Sequence, residues 1–259
     1  MKRELVIFAT GLGLAACSPA PTEEAGGANA KRMPLPECAA VEAEDAGADG
    51  WKHPDCRMML PDQSGMAIEA RYTPAEDETT KITVQVVAAG DATLQTIEER
   101  MGNTFNGPAL EDVDKDGLVD MLIPLETGNV NTTWAFWRQI SKGTFARVGE
   151  PSGVDIEKTE TGYLAVQGRS SAAEYYVTFY KLSSEALQQG VTVLVEVQAE
   201  ADKVTGVTCS IEKDEQLLAS GMTAGVAEAQ FCAESPVQAL IKDMTPVPDA
   251  TAPLAPKTP

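Results

Sequence analysis

Between about residue 66 and residue 200 the chain sets apolar residues at alternate positions again and again, and this pattern limits the fold more than any other feature. Met66, Ile68, Ala70 and Tyr72 fall on one side of such an alternation, as do Ile82, Val84 and Val86, then Trp134 with Phe136, then Tyr175, Val177 and Phe179, and finally Val191, Val193, Val195 and Val197. Successive strand residues point to opposite faces of a sheet, so a period of two makes strands with one buried face. Gly90-Asp91, Asn103, Gly128-Asn129, Gly143 and Gly162 separate these runs as turns. Helical signals are few. Thr93 to Arg100 fits helix or strand, Ser184 to Gln189 has room for two helical turns, and Ser235-Pro236 reads as the start of a helix that runs to about Met244. The expected fold is mainly β, with antiparallel sheets in a propeller-like or sandwich arrangement, a few short helices and disordered termini.

The N-terminus carries a different message. Lys2 and Arg3 precede a short apolar run from Leu5 to Leu14, then Ala15-Ala16-Cys17. A basic start, a short apolar segment and small residues form an export signal. The run is shorter than the roughly 20 apolar residues a membrane-spanning helix needs. With a cysteine after the small residues, the pattern resembles the bacterial lipobox, which implies cleavage before Cys17 and lipidation of that residue. Several acyl chains on one residue anchor a protein stably, at about 0.8 kcal/mol per buried methylene. Ser18 in place of Asp resembles the enterobacterial sorting pattern for the outer membrane. The chain thus reads as a signal peptide over 1–16, a flexible tether over 17–33, a β-rich domain over 34–244 and a Pro-rich disordered tail over 245–259.

Formal net charge is −19, which repels nucleic acid and anionic lipid and attracts basic proteins and divalent cations. Beyond Cys17 four cysteines remain, Cys38, Cys56, Cys209 and Cys232. An even number in an exported chain points to disulfides, with the local pairings Cys38 to Cys56 and Cys209 to Cys232 preferred among three possibilities. The single histidine, His53, has no Gly-x-Ser-x-Gly partner and reads as a surface residue, so no nucleophile and base are marked and the chain is not expected to be an enzyme. Trp134, Phe136 and Trp137 offer a stacking platform or a protein contact, with at least one face of that strand in the core.

One stretch carries chemistry: Asp112-Val113-Asp114-Lys115-Asp116-Gly117-Leu118-Val119-Asp120, followed directly by Met121-Leu122-Ile123. Carboxylates at alternate positions converge on one cation when the backbone curls, and Gly117 permits the curl. Calcium accepts six to eight oxygen ligands with loose geometry. The expected ligands are Asp112, Asp114, Asp116, the carbonyl of Leu118, and Asp120. The first half resembles an EF-hand, but Ile123 stands where a bidentate Glu belongs and strand residues follow. An Asp-rich loop leading straight into a strand resembles the calcium loops of the VCBS and FG-GAP type. With Leu94-Gln95-Thr96-Ile97 upstream and Gly128-Asn129, Thr133 to Trp137 and Gly143-Thr144-Phe145 downstream, the order of elements is similar to periplasmic lipoproteins with one such loop. Gly162-Tyr163-Leu164, Arg169 and the strand Tyr175 to Lys181 continue the likeness to about residue 200. Some of that group act as immunity proteins against secreted peptidoglycan hydrolases. The resemblance implies a lipid-anchored, calcium-stabilised binding protein whose partner is a basic cell-wall hydrolase. A structural or adaptor role in the envelope is the alternative.

Overall fold

The alternating segments form sheets, and apart from one short strand that returns to an earlier neighbour, the order of strands within each sheet follows the order of the chain. The computed structural model describes residues 34–47, 50–75, 79–200, 203–213 and 215–245; from Leu35 on they belong to one compact unit. Cys17, the signal and tether read from residues 1–33, and the prolines beyond Thr245 lie outside the described residues.

A two-residue ribbon of β1 (Glu44–Asp45) and β2 (Trp51–Lys52) precedes the first sheet. That sheet is an antiparallel meander of β3 (Cys56–Met59), β4 (Ala67–Pro74), β5 (Thr80–Val87) and β6 (Thr93–Met101). The second sheet holds β7 (Ala109–Glu111), β8 (Asp120–Thr127), β9 (Thr132–Ser141) and β10 (Thr144–Gly149). After Glu150 and Pro151, β11 (Ser152–Gly153) returns to the same β9. The third sheet runs through β12 (Asp155–Lys158), β13 (Leu164–Arg169), β14 (Glu174–Leu182), β15 (Leu187–Glu200) and β16 (Lys203–Ile211). Every strand pairing between these elements is antiparallel.

The sheets stack face to face and do not close into a barrel. Ile68, Val84 and Ile97 of the first sheet share a core with Met121, Ile123 and Ala135 of the second. The opposite face of the second sheet, Leu122 and Phe136, packs on Ile156, Leu164 and Val166 of the third. This explains the unbroken run Met121-Leu122-Ile123: β8 lies in the middle layer, so side chains leaving either face are buried. Trp134 and Trp137 divide in the same way, Trp134 toward the third sheet and Trp137 toward the first. Trp137 also donates its indole N–H to Glu99 at 2.9 Å. The aromatic strand is core on both faces rather than an exposed platform.

The free face of the third sheet is covered by three short helices, α1 (Glu215–Ser220), α2 (Ala224–Phe231) and α3 (Ser235–Met244). Helices this short are marginal on their own. They are held by burial of Leu217, Ala227, Phe231, Val237 and Leu240 against Val177, Phe179, Val191, Val193 and Val195. Each large apolar side chain so buried contributes about 1.5–3 kcal/mol, far more than any helix propensity at stake. Thr223 caps α2 by accepting from Val226 N–H, and α3 has proline in its first turn, as its sequence indicates. Cysteine pairs Cys38–Cys56 and Cys209–Cys232 are joined; the second ties β16 to the end of α2.

One open local reading is settled and another changes. Thr93 to Arg100 is strand, paired along its length with β5. Ser184 to Gln189 is not helix. Ser183 Oγ accepts from the N–H groups of Glu185 and Ala186 and makes a tight turn instead, after which β15 begins. Serine competes with helix in this way by offering the backbone a local acceptor.

Candidate functional site

Asp-rich loop 112–119 joins β7 to β8, and Glu111 and Asp120 are opposite one another where the two strands meet. The chain turns tightly here, with Lys115 at φ 53° and Gly117 at φ 90°, a region glycine enters freely and lysine only at some cost. Asp112 accepts from the N–H groups of Asp116 and Gly117, both at 3.0 Å, and Asp116 accepts from Leu118 N–H at 2.8 Å. The loop thereby folds its own carboxylates inward. Oxygens of Asp112, Asp114 and Asp116 all lie within 4.8 Å of one another.

Asp120 stands outside that trio. It is fully buried, and its two oxygens accept from Val113 N–H (3.2 Å) and Gln139 N–H (2.9 Å). Burial pushes its pKa up to about 7, reinforced by the charges of Asp114 and Asp116, while the two backbone N–H groups pull the other way. Of the five expected ligands, then, three converge, Leu118 contributes its N–H to the curl, and Asp120 ties the loop to β9. Gln139 completes that tie, accepting from Val119 N–H at 3.0 Å.

Sequence reading missed the loop's counter-charge. Arg138 on β9 donates from Nε to Asp114 at 2.6 Å and from an Nη to Asp116 at 2.9 Å. Asp114 is almost buried and Arg138 about one-fifth exposed, so water screens the pair weakly. Lys158 at the end of β12 donates to the carbonyl of Asp114, and Lys115 reaches back to the carbonyl of Lys158 at 3.2 Å. The loop is thus a junction between the second and third sheets. Arg138 lies 22 residues from Asp116 with no periodic relation to it, so only strand register could have revealed it.

A second feature lies beside the first sheet, where the Cys38–Cys56 loop and residues 105–108 enclose a cleft of about 860 Å³. Its aromatic lining is Trp51, His53, Tyr72 and Phe105, with Met58 and Met59 between them. Trp51 and Phe105 meet at 5.8 Å, and His53 stacks on Tyr72 at 4.9 Å with the rings 23° apart. His53 Nε2 sits 2.9 Å from the carbonyl of Thr104 and must therefore donate to it. Burial lowers the pKa of His53, outweighing that hydrogen bond. Tyr72 shifts the other way, its phenol pushed above its ordinary range by burial and by Asp55. The expectation of a surface histidine is corrected: His53 is half-buried in an aromatic wall, because the disulfide loop folds it back onto β4. Phe105 comes from the loop between β6 and β7, about fifty residues further along, and nothing in the sequence joined it to Trp51.

No family model matches the chain, and no curated protein matches it. Among solved structures it is similar to a Xanthomonas type IV secretion system related protein, with 10% identity and a TM-score of 0.40, covering 66% of this chain and 93% of that one. That likeness is too distant to assign a function.

Proposed function

We propose that the chain is an exported cell-envelope protein, anchored by lipid on Cys17, that binds one calcium ion at Asp112, Asp114 and Asp116 and recognises a protein partner, with a basic peptidoglycan hydrolase as the partner class. The observation that carries the calcium part is the convergence of three carboxylates within 4.8 Å. Calcium holds its oxygens at about 2.3–2.6 Å, so ligands on opposite sides of it stand roughly that far apart. When bound, the ion would neutralise the cluster and stiffen the junction between the second and third sheets. Arg138 competes for the outer oxygens of Asp114 and Asp116, which sets the affinity below that of a loop with no internal cation. The two disulfides suit an oxidising compartment outside the cytoplasm. The acidity of the chain suits a basic partner.

Thermal unfolding in calcium and in chelator tests the ion. Calcium at a hundredfold over its Kd is expected to add about 2.7 kcal/mol, and Asp114→Ala should abolish the increment. Equal midpoints in both buffers would remove calcium from the reading. Cys17→Ser should release the protein from the membrane fraction. For the partner, purified peptidoglycan hydrolases should be retained and inhibited by the immobilised chain; retention of an envelope assembly instead would select the adaptor role.

A further inference from the structure

The aromatic cleft beside the first sheet is separate from the Asp-rich loop, and it has features of a peptide site. We infer that it docks an extended, cationic segment of a protein partner, one that presents an apolar side chain between lysines or arginines. This inference does not depend on calcium at the other site.

Three observations carry it. First, the apolar walls are partly open to solvent: Phe105 is 53% and Met59 46% exposed, large values for side chains of this kind. Aromatic residues and methionine are the types that anchor protein interfaces. Second, the sheet edge in the cleft is unfinished. Arg57 N–H points away from β4 and donates to the carbonyl of Pro36, and Arg57 and Glu37 form a parallel bridge. Two residues on, the N–H and carbonyl of Met59 face the same way. By then the N-terminal segment has peeled off into the Cys38–Ala40 turn, held by the disulfide to Cys56, so Met59 has no backbone partner among the described residues. An added strand could continue the pairing that Pro36 and Glu37 begin. Third, the charge is one-sided. Glu37 and Glu42 line the cleft, and among the described residues no lysine or arginine lines it. A cationic segment gains from that rim, and an acidic one is repelled.

The unpaired backbone edge favours a peptide over a free acyl chain, which has no use for an N–H and a carbonyl. A competition series on the full chain carrying Cys17→Ser tests this, read by fluorescence anisotropy. The probe is a fluorescein-labelled peptide, Lys-Lys-Val-Trp-Val-Lys-Lys. Controls are the same peptide with Glu for Lys, the same peptide N-methylated at both valines, and dodecanoate as competitor. Saturable binding of the cationic peptide is expected, weakened about tenfold or more by Phe105→Ala and several-fold by Glu37→Gln with Glu42→Gln. Both positions are exposed, and unchanged unfolding midpoints check that the variants fold. N-methylation should abolish binding and chelator should leave it unaltered, which separates failure here from failure at the calcium loop. Absence of saturable binding, equal affinity for the acidic peptide, unchanged affinity in Phe105→Ala, or occupation of the cleft by dodecanoate alone would overturn the inference.

Discussion

Arg138 is the residue on which the state of the Asp-rich loop turns. It is bonded to Asp114 and Asp116 at once, so the loop has a cation of its own before any metal arrives. Arg138→Gln leaves two close carboxylates facing each other in a half-buried place. In chelator the substitution is expected to cost about 2 kcal/mol, the range for hydrogen bonds to a charged group. Calcium should restore most of that, since a divalent ion takes over the neutralisation; urea unfolding of both proteins in both buffers measures it. A loss that calcium leaves untouched would mean the loop is closed by arginine alone. His53 gives a second residue-scale expectation, through pH. In the unfolded chain it titrates near 6.5, and in the fold burial lowers its pKa. Below pH 6.5 the unfolded chain therefore takes up a proton that the folded chain refuses. The contribution of neutral His53 is full above that pH and is lost as pH falls through it. His53→Gln keeps an N–H donor for Thr104 but cannot be protonated, so its unfolding free energy should decline less than that of the parent between about pH 7 and pH 5. Parallel declines would show that His53 charges freely within the fold.

At the scale of elements, the chain passes from the second sheet into the third through β11 and β12, and one glycine makes that passage possible. A Cβ on Gly153 would lie 2.2 Å from the carbonyl oxygen of Gln167, a backbone atom that cannot move aside without breaking the pairing of β13. Gly153→Ala should cost about 2–3 kcal/mol as forced overpacking, seen as a lower denaturant midpoint. Gly225→Ala in α2 meets nothing within 4 Å and should go the other way by about 0.5–1 kcal/mol, because alanine is the better helix former. These elements also show what could be read from the residues. The strands β4, β5, β14 and β15 were legible because one face of each is buried and the alternation is plain. Residues Thr93 to Arg100 were ambiguous because no single periodicity rules them, and pairing with β5 decides their state. The helices α1 and α2 left little trace: Ala, Gly and Gln give weak periodic contrast, and the third sheet holds these helices in place. Three aspartates of the candidate site were legible from spacing, because a tight loop brings alternate residues together. Arg138, Lys158 and the cleft were not, because each depends on register between segments distant along the chain.

For the whole molecule, an open stack of sheets has two outer faces to protect, and this one treats them differently. On the first sheet the outward side is polar: Glu69 bonds Arg57 and Arg71, and Lys81 pairs with Glu98. The outer face of the third sheet is apolar, with Val177, Phe179, Val191, Val193 and Val195 all buried only because the helices lie on them. A sheet face of that composition left open would recruit another molecule. The Cys209–Cys232 bond fastens the helical cover at one point, closing a loop of 23 residues. Opening it with Cys209→Ser and Cys232→Ser together gives the unfolded chain back the loop's freedom, an effect of about 3 kcal/mol. For a domain of this size that lowers Tm by roughly 6–12 °C. The loss should be local before it is global. Hydrogen exchange in α1, α2 and α3 should quicken while the middle sheet, buried on both faces, keeps its protection, and a hydrophobic dye should begin to bind as the valine face opens. Uniform acceleration across all three sheets would instead show that cover and stack unfold as one cooperative unit, and that the disulfide acts on the whole fold rather than on its helical end.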